Sequence, residues 1–188
     1  YLRGLWTQFF RVEEAVKAAL PKAAVADGWL DASPVGLTFT FFPADYPSLM
    51  SNDLIVLGNV PVAPLDLVGQ EMLKDYIAAG GNVLILGGDQ AFGQAGFVNE
   101  GLIGQIPLDM GGSYNWRKIP GGGALKVAGK HAITEGVSFG DRDVVLYSHV
   151  CKPKQGASVL VTAGDRPIVV AGSTAKGGKI VCILATPF

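Results

Sequence analysis

Apolar positions Leu2, Leu5, Phe9, Val12, Val16 and Leu20 recur at intervals of three and four, which predicts a helix with one buried face, ended by Pro21. Val35, Leu37, Phe39 and Phe41 then alternate with small or polar neighbours, the period of a strand, until Pro43 and Pro47 interrupt it. Leu54-Ile55-Val56-Leu57 is an unbroken apolar run closed by Gly58-Asn59, as in a parallel strand covered on both faces. From Pro64 to Ala79, the residues Leu65, Val68, Met72, Leu73 and Ile77 keep a helical period, and Gly80-Gly81 supply the left-handed residues that end helices. Val83-Leu84-Ile85-Leu86 is a second buried strand. Strand, helix and strand at this spacing make one βαβ crossover, so the two runs should lie side by side and parallel.

Beyond Gly88 glycine clusters at Gly93, Gly96, Gly101, Gly104, Gly111-Gly112 and Gly121-Gly122-Gly123, which predicts an irregular excursion of turns and short helices. From Asp143 onward the runs VVLYSHV, ASVLVT, PIVVAG and KIVCIL are β-branched and separated by turn signals at Lys154-Gln155-Gly156, Gly164-Asp165 and Lys176-Gly177-Gly178. Their short links favour antiparallel hairpins, so the expected sheet is mixed. No internal repeat is visible.

The 188 residues are read as one domain, 1–188. Because the chain opens at Tyr1 without a Met or a charged leader, it is expected to be a piece of a longer protein or a processed one. Fifteen Lys and Arg against sixteen Asp and Glu give a net charge of −1, with no run of five like charges. That balance argues against nucleic acid or a polybasic membrane patch. Only 16% of residues are charged, leaner than the roughly 25% of ordinary soluble domains, so much of the chain should be buried. The apolar runs fall far short of the ~20 residues that span a bilayer. Cys151 and Cys182 have no CxxC partner, so neither a zinc site nor a disulfide framework is indicated, and the compartment stays open. The stretch GGDQAFGQAG matches neither GxGxxG nor GxxxxGK[ST]. No metal or cofactor is expected.

Leu73-Lys74-Asp75-Tyr76-Ile77 running into Ala79 to Gly88, followed by Ala91-Phe92-Gly93, resembles the heart of the glutamine amidotransferase-like domains of the class I superfamily, among them trehalose-utilisation-like relatives. His131 to Val137, Val150 to Ala157 and the hairpin from Pro167 to Leu184 follow in the family's order. The resemblance covers about residues 50–188. It implies an α/β, three-layer flavodoxin-like fold with a mixed, mainly parallel sheet that usually opens on a strand before the first helix. With the first helix read from Tyr1, that strand is expected upstream or replaced by another element.

Catalytic members of the superfamily carry a cysteine nucleophile on a sharp strand-to-helix turn and a histidine base after a late strand. By resemblance the turn follows Leu86 and spans Gly87-Gly88-Asp89-Gln90, where neither Cys nor Ser occurs. Asp89 and Gln90 cannot form the usual acyl intermediate, so the elbow is read as inactive. Asp89 would either cap the next short helix or hydrogen-bond a sugar hydroxyl or a cationic group at the carboxyl edge of the sheet. Asn59 is read as pointing into the same crevice or as plain turn chemistry, and Phe92 as packing beneath the loop. His149 and Cys151, two apart on one predicted strand, would share a face and form the alternative catalytic pair, although no third group orients the imidazole. Cys182 reads as core and His131 as a turn or cap residue. No histidine stands in Ala185-Thr186-Pro187-Phe188, where the family's base would follow.

The functional expectation is a non-catalytic domain whose crevice at Asn59, Gly87, Gly88, Asp89, Gln90 and Phe92 takes a small polar ligand or a protein partner. The alternatives are a hydrolase or amidotransferase using Cys151 and His149, or residues beyond Phe188, and a structural interaction domain that pairs a sheet edge with another chain, a homo-oligomer included.

Overall fold

The computed structural model describes residues 2–4, 11–33, 36–40, 42–61, 65–95 and 101–186. Leu5, Phe9, Val35, Phe41, Pro64, Gly96, Pro187 and Phe188 lie outside them. The most regular unit is the βαβ crossover. Strands β4 (Leu54–Gly58) and β5 (Asn82–Leu86) are parallel neighbours in register from Leu54 opposite Asn82 to Gly58 opposite Leu86. Helix α3 (Leu67–Ala78) starts where the Asp66 carboxylate accepts the Gly69 N–H at 2.7 Å, and the chain turns away at Gly80 with φ +100°.

Alternate residues of these strands face opposite sides, and both sides are covered. Ile55, Leu57, Val83 and Ile85 share one core with Met72, Leu73 and Ile77 of α3. Val56 and Leu86 share another with Val12 of helix α1 (Val12–Ala19). Burying each such side chain contributes about 1.5–3 kcal/mol, which is why a charge-poor, continuous apolar run is stable only in this setting.

The helix expected over residues 2–20 is two elements. Leu2–Gly4 is strand β1, parallel to β2 (Asp27–Ser33) on one side and to β4 on the other, and the helix begins only at Val12. The opening strand, expected either upstream or replaced by another element, is therefore in this chain. Leu2 falls in phase with the helical spacing, but pairing on both edges decides the local structure. Strand β3 (Gly36–Thr40) lies antiparallel on β2, and the short helix α2 (Tyr46–Met50) leads into β4.

The glycine-rich excursion also contains more structure than expected. After the two-residue strand β6 (Leu108–Asp109) comes β7 (Trp116–Val127), antiparallel to β8 (Val144–His149). Between Lys118 and Gly123, β7 advances five residues while β8 advances two, from Tyr147 to Val145. Gly121 and Gly122, at φ +74° and +76°, supply the conformation that this bulge needs. Strand β9 (Lys152–Pro153) pairs with β6, and β10 (Ser158–Ala163), β11 (Arg166–Ser173) and β12 (Lys179–Ile183) follow as antiparallel neighbours.

Among the described residues the main sheet has ten strands in the order β3-β2-β1-β4-β5-β12-β11-β10-β7-β8. It is mixed, as the sequence implies, but not mainly parallel. Parallel pairing is confined to β2-β1-β4-β5-β12, and antiparallel pairs outnumber it because tight turns such as Gly164-Asp165 return the chain directly. No helix among the described residues is long and apolar enough to cross a membrane.

Candidate functional site

The carboxyl ends of β4, β5 and β8 converge with the start of β7. At the end of β5, Gly87 donates its N–H to the Ile183 carbonyl at 2.7 Å, and a Cβ there would stand 2.8 Å from that oxygen. Gly88 has φ +154° and leaves room for the Asn59 side chain, whose Oδ1 would lie 2.3 Å from an added Cβ. The Ala91 N–H returns to the Gly88 carbonyl, and a 3-10 turn follows over Phe92–Ala95. A sharp strand-to-helix elbow is thus present at Gly87-Gly88-Asp89-Gln90.

Asn59 holds this elbow from beneath. It follows β4 in the left-handed region, φ +51°, and is only 2% exposed. Its Oδ1 accepts the Gln90 N–H at 2.8 Å and its Nδ2 donates to Asp89 Oδ1 at 3.0 Å. Of the residues expected to line a crevice, Asp89 is exposed and Gln90 half-buried, whereas Asn59, Gly87, Gly88 and Phe92 are buried supports.

His149, at the end of β8, is wholly buried against the inner side of the elbow. Its ring lies 4.8 Å from that of Phe92, edge to face, and 4.6 Å from that of half-buried Trp116. Phe92 thus packs beneath the loop. Nδ1 of His149 meets Asn115 Oδ1 at 2.8 Å, and Nε2 meets the Gly88 carbonyl at 2.9 Å and the Gly88 N–H at 3.3 Å. The Asn115 amide donates from Nδ2 to the Val150 carbonyl and to Cys151 Sγ, so its Oδ1 is the acceptor facing the ring and Nδ1 is assigned the proton. Burial pushes the imidazole pKa down to about 3, against the raising influences of the Gly88 carbonyl and the Asp89 carboxylate. The ring is neutral at pH 7.

The His149–Cys151 reading assumed one continuous strand, but β8 ends at His149 and the chain crosses to the small β6-β9 sheet. Asn115 lies between the two groups, accepting at one and donating to the other. Burial pushes the Cys151 thiol up to about 12, and Cys182 is raised for the same reason within the core. His131 caps the short turn after it, accepting the Ile133 N–H at Nδ1. Asn115 and Trp116 were not singled out by sequence reasoning: no motif marks them, and only the pairing of β7 with β8, Trp116 opposite His149, brings them to the elbow.

Known proteins share this fold. A cytoplasmic protein of Salmonella typhimurium LT2 is 23% identical with a TM-score of 0.75, the match covering 93% of this chain and 77% of that one. A second cytoplasmic protein of Salmonella typhimurium is also 23% identical, with a TM-score of 0.74 and coverage of 92% and 76%. A ThuA-like protein from Bacteroides uniformis is 14% identical, with a TM-score of 0.62 and coverage of 98% and 80%. At these identities the likeness is one of fold. No curated protein matches the sequence. The family described as "Putative glutamine amidotransferase" matches residues 37–186, most of the chain. By that match, the chain belongs to the glutamine amidotransferase-like family.

Proposed function

We propose that this is a non-catalytic member of its family, a binding domain whose contact point is the carboxylate carried on the elbow. The observation that carries the reading is the Asn59–Asp89 bond: where a nucleophile would stand, the elbow presents a braced carboxylate. A carboxylate cannot form the thioester or ester of amide hydrolysis in the usual way. The nearest imidazole is neutral and buried, with Nδ1 donating to Asn115 Oδ1 and Nε2 accepting the Gly88 N–H. A hydrolase or amidotransferase built on Cys151 and His149 is disfavoured by the intervening amide and by a thiol that stays protonated. The three-layer, flavodoxin-like description is part of the same proposal, supported by α1 and α3 on opposite faces of β4 and β5. The exposed Asp89 and the half-buried Gln90 then offer hydrogen bonds to a small polar ligand at the carboxyl edge of parallel strands.

The test is ammonia release from glutamine, together with NMR titration by glutamine and by neutral sugars. The reading expects no release above the buffer and shifts at the Asp89 and Gln90 amides that vanish in Asp89→Ala. Release that disappears in Asp89→Ala would refute it.

A second reading, an interaction domain, is favoured by β8, which ends the sheet among the described residues and is met on its far flank only at Ser148 and His149. Val144, Leu146 and Tyr147 in it, and Val150 just after it, are exposed. Sedimentation across a range of protein concentrations decides: a monomer throughout removes self-association.

A further inference from the structure

We propose a second ligand site, independent of the elbow, for a small organic anion that also carries a hydroxyl or N–H donor. A cavity of about 560 Å³ opens at the amino end of β12, walled by the 104–107 and 154–158 turns and by the paired ends of β11 and β12. The elbow lies at the opposite, carboxyl end of β12, where Ile183 meets Gly87. The volume is within the range of small-molecule sites.

Two features give the cavity its chemistry. The first is charge: Lys154 and Lys179 line it, and among the described residues no Asp or Glu does, in a chain whose net charge is −1. Lys179 Nζ donates to Ser173 Oγ at 3.0 Å and Lys154 Nζ to the carbonyls of Ile103 and Gly104, so both ammonium groups are held by neutral acceptors. Their charge is left for an anion, which a lysine serves as a point charge. The second feature is Gln105, also in the wall. Its Oε1 is buried and has no hydrogen-bond partner among the described residues. A buried acceptor left unpaired is costly, and native proteins keep few of them. A rotation that turns the Gln105 amide into the cavity would let a ligand hydroxyl or amine satisfy this oxygen while the anionic end meets the lysines.

Carboxylate and phosphate both suit the ammonium pair, so the test carries one probe of each. The protein is titrated by 1H–15N NMR with malate, glycerol 3-phosphate, inorganic phosphate and glycerol. Malate, glycerol 3-phosphate or both should give saturable shifts at the Gln105 side-chain amide and around Ser173 and Lys179, the tighter probe naming the anion. Phosphate and glycerol, each lacking one half of the recognition, should bind at least about tenfold more weakly. Lys179→Met should weaken binding by a similar factor, Gln105→Leu should remove the preference for glycerol 3-phosphate over phosphate, and Asp89→Ala should change nothing. Gln105→Glu, which keeps the shape but adds a negative charge, should abolish binding in a chain that still melts cooperatively. Failure of both organic anions to saturate in the millimolar range, or undiminished affinity in Lys179→Met and Gln105→Leu, would overturn the site.

Discussion

Asn59 and Asp89 are 30 residues apart in the chain and 3.0 Å apart across the elbow, with Nδ2 donating to Oδ1. The same amide accepts the Gln90 N–H through its other end, so one buried side chain ties β4 to the turn after β5. The elbow is therefore held by side-chain hydrogen bonds as well as by its glycines.

Replacing Asn59 separates backbone strain from bonding. Asn59→Ala removes both bonds and puts an ordinary residue at φ +51°, and should cost about 2–4 kcal/mol in urea unfolding. Asn59→Gly loses the same bonds without the strain and should be less destabilised, by about 1 kcal/mol. Equal losses would mean that the backbone conformation contributes nothing.

Gly88→Ala should be destabilising by about 2 kcal/mol or more, since the new Cβ would stand 2.3 Å from Asn59 Oδ1. In an Asn59→Gly background the obstructing atom is gone, so the second substitution should cost clearly less than it does alone. Strict additivity of the two losses would contradict the contact.

Burial of His149 makes stability pH-dependent in a defined window. Its folded pKa, about 3, lies below the ordinary 6.5, so between those values the unfolded chain binds the extra proton. The contribution is complete above pH 6.5 and declines as pH falls toward 3, with a slope of at most about 1.4 kcal/mol per pH unit. Urea unfolding of wild type and His149→Gln from pH 4 to 7 isolates this group: the variant should show the shallower dependence, and parallel curves would exclude a buried neutral imidazole.

Both thiols should resist alkylation. With Cys151 raised to about 12 and Cys182 in the core, iodoacetamide at pH 7.5 should label the folded protein far more slowly than the unfolded chain. Rapid labelling of Cys151 in the folded state would revive the catalytic pair.

What was legible in the sequence follows from the range of the forces involved. The crossover through α3 was readable because its helical period and the Gly80-Gly81 stop are local signals. Strand β1 was hidden because three residues cannot announce a period and Leu2 fits a helix as well as a strand. Strand β7 was hidden by the glycines of its own bulge. The elbow could be placed by resemblance, but the Asn115–His149 contact depends on a sheet register between residues 34 apart, which no local pattern encodes. The two-residue spacing of His149 and Cys151 misled because a period of two holds only while the strand continues.

The position of β12 has a consequence for how the chain reaches this structure. β5 needs it as a lateral neighbour, and the Lys179 N–H that Asn82 Oδ1 accepts comes from 97 residues downstream. Until that stretch has been synthesised, β5 has one flank open to any passing backbone. Closure of the sheet is thus a late, long-range event, which slows folding and makes truncated or newly made chains the species most prone to aggregate.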